Sequence, residues 1–140
     1  MRASAIRAHQ RFQRWRKEKQ DGQKALASLR IRSDRPMHLL KFSSEDCGTC
    51  HRMSHYDSNV AKELSCEFVS VMLQDTQTYR KYRKVLLAQY PNKEGMGWPT
   101  YLLVSNPESD FTIHGELKGG MPKGDFRTKL QALLDGVASS

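Results

Sequence analysis

Two of the three cysteines, Cys47 and Cys50, lie three apart in the stretch Asp46-Cys47-Gly48-Thr49-Cys50-His51. Thiols at that spacing suit thiol-disulfide exchange, in which a thiolate attacks a substrate disulfide and a second thiol resolves the mixed disulfide. At the start of a helix the first sulfur stays at the exposed end, where unpaired backbone N–H groups favour its thiolate. The second falls almost one turn on, toward the core. On this reading Cys47 is the nucleophile and Cys50 the resolving thiol. The same five residues, Cys-x-x-Cys-His, are an attachment signature for c-type haem. Haem attachment accompanies export, and a strand directly before the motif fits redox exchange better. A zinc site would draw on Cys47, Cys50, His51 and His55, but Cys50 and His51 are adjacent and no distant second ligand pair is present. The expectation is therefore no metal and no cofactor. Cys66, just before a strand, reads as a buried small hydrophobe.

The pair needs an element on each side to hold it. Met37-His38-Leu39-Leu40-Lys41-Phe42 is short and apolar enough for a buried strand. Ser43 to Asp46 end it. Cys50, Met53, Val60 and Leu64 then recur at helical intervals, which places the dicysteine at a first helical turn. Phe68–Leu73 reads as a second strand. Tyr79, Tyr82, Leu86 and Gln89 or Tyr90 mark a helix closed by Pro91. Tyr101–Val104 and Phe111–His114 flank the turn Asn106–Ser109 as a hairpin, and Phe126, Leu130, Leu133 and Val137 make a closing helical stripe. A strand-helix-strand unit followed by a hairpin and a helix implies an α/β fold, with a central mixed sheet flanked by helices.

At 140 residues the chain has room for one core of ordinary size. No apolar run approaches the roughly 18 residues of a membrane span. The net charge of +8 is concentrated: residues 1–35 hold eleven Lys or Arg against Glu18, Asp21 and Asp34, and the remainder is neutral. Residues 1–32 are expected to form a basic amphipathic helical extension, with Phe12, Trp15, Leu26 and Leu29 on one stripe, ahead of a domain over 33–140. Residues 1–35 could serve an anionic partner or a solvated face. Met1–Gln20 has no apolar block of the secretory kind, so the cytoplasm is the expected compartment. The periplasm is the alternative if the native N-terminus lies further upstream.

A strand, Cys-Gly-x-Cys, a helix and a later Trp98-Pro99-Thr100 at a strand start together resemble the thioredoxin superfamily over roughly residues 36–137, as does the run Gly119–Phe126. The resemblance implies a thioredoxin-like fold, here with an extra N-terminal helix, and a protein-disulfide oxidoreductase working without a cofactor. It also implies a cis proline at Pro99 and a substrate-docking turn of Trp98, Pro99 and Thr100. Its partners would be protein disulfides and a thiol/disulfide redox partner, and reduction is the expected direction. Three positions depart from the family pattern. Lys41 stands where thioredoxins carry a buried acid, Asp46 replaces the tryptophan before the first cysteine, and Thr49 replaces a proline. Lys41, Asp46 and His51 are thus candidate modulators, a negative Asp46 opposing and a cationic Lys41 or His51 favouring the Cys47 thiolate. The alternative is a non-catalytic binding module using the Trp98–Pro99 groove or the basic N-terminal helix.

Overall fold

A computed structural model describes residues 37–139. The basic extension expected over residues 1–32 lies outside the described residues. The first element, β1 (Met37–Ser43), is buried at every position except His38, which is half-buried. Both of its faces are covered, so it reads as a nearly continuous apolar run. Then come α1 (Gly48–Met53), α2 (Asp57–Glu63), β2 (Glu67–Met72) and α3 (Thr76–Gln89). A short 3-10 turn, Pro91–Lys93, leads on to β3 (Thr100–Ser105), β4 (Thr112–Lys118) and α4 (Lys123–Ser139).

The strands form one mixed sheet in the order β2-β1-β3-β4. β1 and β2 are parallel and therefore joined by a helical crossover, whereas β3 is antiparallel to both β1 and β4. Alternation along the central strands divides the core into two. Met37 and Leu39 of β1 and Tyr101 and Leu103 of β3 pack with Met53, Val60, Phe126 and Leu130 of α1, α2 and α4. Leu40, Phe42, Leu102 and Val104 point the other way, onto Tyr82, Val85 and Leu86 of α3. Cys66 is buried in the first of these clusters.

Two elements differ from their sequence patterns. The helix expected from Cys50 to Leu64 is broken between Met53 and Asp57. Ser54 N–H is shared between the carbonyls of Cys50 and His51, His55 N–H bonds to Arg52 O and Tyr56 N–H to Met53 O, so the ladder tightens and stops. The Ser54 hydroxyl also bonds back to His51 O at 2.5 Å. Tyr56 then leaves the helical region, at φ −141° and ψ −21°, and α2 starts anew from it. The hairpin strand expected at 111–114 runs on to Lys118. Gly115-Glu116-Leu117-Lys118 lacks a clear alternating pattern, but its backbone pairs with Thr100–Leu103, beyond a register shift at Leu103/Val104.

The helix break has an energetic consequence. It turns Asp57 inward, where it is 1% exposed and lies against Lys41, itself 4% exposed on the face that carries Leu39. Lys41 Nζ sits 2.6 Å from Asp57 Oδ2 and donates to Cys50 O at 2.8 Å. Tyr101 Oη donates to Asp57 Oδ2 at 2.7 Å, and Ser58 N–H to Oδ1 at 2.6 Å. Burial, together with the bond to Asp57, raises the Tyr101 phenol pKa, so it remains a donor at any working pH. No buried side-chain nitrogen or oxygen lacks a partner among the described residues. Removing one member of such a pair leaves the other charge buried and uncompensated, at a cost of about 3–5 kcal/mol. Asp57→Ala is therefore expected to lose about that much in urea denaturation. Lys41→Met with Asp57→Asn, which removes both charges and keeps an acceptor for Tyr101, should recover most of it.

Candidate active site

The end of β1 sets the position of the dithiol. After Ser43 the chain turns through a Cys47 N–H to Ser44 O bond of 3.1 Å. Gln74, just after β2, clamps this loop by donating to Ser44 Oγ at 2.9 Å and accepting from Glu45 N–H at 3.1 Å. Cys47 is the N-cap of α1, and its Sγ accepts the Cys50 N–H at 3.0 Å. Cys47 and Cys50 are joined as a disulfide with Cα atoms 5.2 Å apart. Cys47 is half-buried and Cys50 only 4% exposed, so one sulfur is approachable and the other is not.

Strand register brings two more loops to the same place. Phe42 near the end of β1 pairs with Thr100 at the start of β3, and Thr100 pairs with Lys118 at the end of β4. The segments after β1, before β3 and after β4 therefore leave the sheet at the same end. The Trp98–Pro99 peptide bond is cis. Pro99 O accepts from Gly119 N–H at 2.8 Å, and a Cβ on Gly97 would come within 2.9 Å of that same nitrogen. Gly97 thus allows the two loops to touch.

The residues singled out in the sequence fall into distinct places. Trp98 is 42% exposed and lines, with Ser44, Asp46, Cys47, Gly48 and Thr49, a cleft of about 390 Å3. Pro99 is buried beneath it. Thr100 is fully buried and spends its hydroxyl on Gly97 O at 2.7 Å, so it shapes the turn and does not line the cleft. Lys41 reaches the dithiol from the core through the Cys50 carbonyl. Asp46 is exposed at the mouth, next to Cys47. His51 is exposed, its ring edge-on to His55 at 5.7 Å. Among the described residues no cluster of three or more His, Cys, Asp or Glu is placed to hold a metal ion.

Sequence reasoning missed Asp57, Tyr101 and a second groove. Asp57 carried a signal, since it follows Met53 by four in a stripe that continues to Val60 and Ala61, and a lysine on a core-facing strand position requires an acid. The second groove, about 610 Å3, runs along the other side of Thr49 and is lined by Arg52, Met53, Tyr56, Met121 and Pro122. Arg52 Nη2 donates to Thr49 Oγ1 at 3.0 Å, and Tyr56 Oη is bonded to Met121 O. Burial raises the Tyr56 phenol pKa, aided by the neighbouring Asp57 charge, so the hydroxyl stays protonated.

No protein-family model matches the sequence, and no curated protein sequence matches it. Solved structures do. A thioredoxin from Thermus thermophilus is 20% identical over 81% of this chain and 87% of its own, with a TM-score of 0.53. Thioredoxin-2, described as a component of the malaria parasite's protein secretion machinery, is 16% identical over 70% of this chain and 84% of its own, with a TM-score of 0.50. The chain therefore has the thioredoxin-like fold, with its cysteine pair at the N-terminal end of the helix that follows a central strand. Among the described residues no helix is long and apolar enough to cross a membrane.

Close packing ties the third loop to the dithiol. A Cβ on Gly120 would lie 2.3 Å from Thr49 Cγ2, between the two cysteines. Gly120→Ala should therefore cost about 1–3 kcal/mol of stability in urea, in the range of overpacked sites. Adding Thr49→Ser, which removes that methyl and keeps the acceptor for Arg52, should restore most of the loss.

Proposed function

We propose that the protein is a thiol-disulfide oxidoreductase that reduces protein disulfides, with Cys47 as nucleophile and Cys50 as resolving thiol. The observation that carries this reading is the Cys47–Cys50 bond between an approachable and a buried sulfur, at a helix start beside the Pro99 turn. Structural neighbours with the same fold include thioredoxins.

In the reduced protein, the Cys47 thiolate attacks one sulfur of a substrate disulfide. A Cys47–substrate disulfide forms, and the other substrate sulfur leaves as a thiolate and takes up a proton. The Cys50 thiol then loses its proton and attacks Cys47 Sγ. This releases the second substrate sulfur and closes the Cys47–Cys50 disulfide, so two electrons have passed to the substrate. A thiol reductant returns them in the next cycle.

The residues around the pair have separable tasks in this scheme. The Lys41 ammonium, held at the Cys50 carbonyl, puts positive charge on the buried side, where the resolving thiolate has to form. Asp57 neutralises that ammonium when the cysteines are oxidised, so the charge remains tolerable in the core. Trp98 forms the wall along which a substrate peptide lies, and the buried Pro99 shapes the turn that carries it. A pure binding module would need neither the second sulfur nor its burial.

Cys47→Ser is expected to abolish reduction of a protein disulfide such as that of insulin. Cys50→Ser should accumulate the Cys47 mixed disulfide, visible by mass as an adduct that dithiothreitol removes. Equilibration in thiol buffers should give a two-electron couple near about −270 mV for a reductase, and a value nearer −120 mV would instead make it an oxidant. Undiminished activity of Cys47→Ser would overturn the assignment.

A further inference from the structure

The two grooves beside Thr49 differ in charge. The groove on the Met121 side carries a cation, Arg52, over an otherwise apolar lining. Among the described residues no cation lines the cleft on the Trp98 side, and the one charged group in that lining is the Asp46 carboxylate. The ion pairs among the described residues join Asp57 to Lys41, Glu108 to Lys81 and Glu63 to Arg127. Asp46 takes part in none of them, and its carboxylate accepts no hydrogen bond from the described residues. Only its backbone is engaged, through a weak 3.4 Å bond from Asp46 N–H to Ser44 Oγ.

Trp98 presents a second unfilled valence in the same cleft. Four tyrosine rings of the described chain each carry a lysine ammonium: Lys41 over Tyr101 at 5.9 Å, Lys81 over Tyr82 at 5.6 Å, Lys93 over Tyr79 at 4.9 Å and Lys118 over Tyr90 at 5.4 Å. Trp98, whose indole is the strongest of the aromatic partners for a cation, carries none among the described residues and is 42% exposed. An unpaired carboxylate and an open indole thus share one cleft of about 390 Å3, and the approachable sulfur of Cys47 lies in its lining.

We propose that this cleft is a subsite for a cationic side chain, so that the protein prefers disulfides whose reactive cysteine is flanked by lysine or arginine. The inference deepens the oxidoreductase reading and rests on it. A guanidinium or ammonium lying over Trp98 reaches Asp46 while its neighbouring cysteine sulfur meets Cys47. Arg52, on the far side of Thr49, repels a second basic residue there and so orients the peptide across the dithiol. Arginine should be favoured over lysine, because its planar head stacks on the indole and also offers a fork to the carboxylate.

The test uses the full-length reduced protein and three short peptides. Each is a symmetric disulfide dimer through a single cysteine, flanked by Arg, Ala or Glu, and each rate is normalised to that peptide's reduction by dithiothreitol. The second-order rate for the Arg peptide should exceed that for the Ala peptide by about 5- to 20-fold, as an exposed ion pair and a cation–π contact together allow. The Glu peptide should be slowest, and the spread should narrow as salt is raised. Asp46→Asn and Trp98→Leu should each lower the Arg:Ala ratio by about 2- to 5-fold, because each removes one of the two contacts. Because the ratio is taken within one variant, any change in Cys47 reactivity cancels. Equal normalised rates for the three peptides, or an Arg preference that neither substitution lowers, would overturn the subsite and leave the oxidoreductase standing. Failure to reduce any of the three would remove both.

Discussion

An ammonium on the core-facing side of a central strand cannot reach water, and much of this domain is arranged around that fact. Lys41 occupies the face of β1 on which Leu39 belongs to the main hydrophobic cluster. Its charge demands a carboxylate, and none is available from the strands on that face, so the acid comes from the crossover. For Asp57 to reach it, the helix after the cysteines has to stop at Met53 and restart. The acid then needs its remaining lone pairs satisfied, which Tyr101 and Ser58 accomplish. A second donor of the lysine is spent on the Cys50 carbonyl. A polar group that would weaken a core thereby fixes the position of the helix on which Cys50 sits.

The contrast with the usual thioredoxin arrangement lies in the sign and source of this buried charge. Where thioredoxins carry an acid on the strand, this strand supplies a base, Lys41, and the helix the acid, Asp57. The pair as a whole is neutral, but its two ends are not equivalent toward the dithiol, since the ammonium is the end that touches Cys50. The site is thus polarised in depth, with positive charge at the carbonyl of the buried Cys50 and the exposed Asp46 carboxylate beside the approachable Cys47.

It is also polarised across its width. Thr49 forms a ridge between a cleft with an acid and an open indole and a groove with an arginine and apolar walls. The tryptophan absent from the position before the first cysteine is matched by one before the cis proline. An exposed indole therefore still borders Cys47, but it does so from the β3 loop, held there by the Pro99–Gly119 contact and the Thr100–Gly97 bond.

Local chemistry and periodicity were enough to read the cysteine pair at a helix start, the order of the described strands and helices and the mixed sheet from the sequence. Cys47 and Cys50 are neighbours along one helical turn, and β1, β2 and β3 are dense apolar runs, so these features depend on residues close in the chain. The break at Ser54–Tyr56 was not legible, because Met53, Val60 and Leu64 remain at helical spacing whether or not the helix is continuous. Nor was the length of β4, because Gly115–Lys118 is held by its backbone ladder to β3 and carries no alternating pattern of its own. Thr100 was read as lining the substrate turn, yet its hydroxyl is consumed within that turn. The partners of Lys41, and the meeting of Asp46 with Trp98, join positions 16 and 52 residues apart by their own numbering. Only the antiparallel register of β1 with β3 and the crossover of α2 bring such residues together, since a contact between distant residues is set by how the sheet pairs and not by what either segment prefers alone.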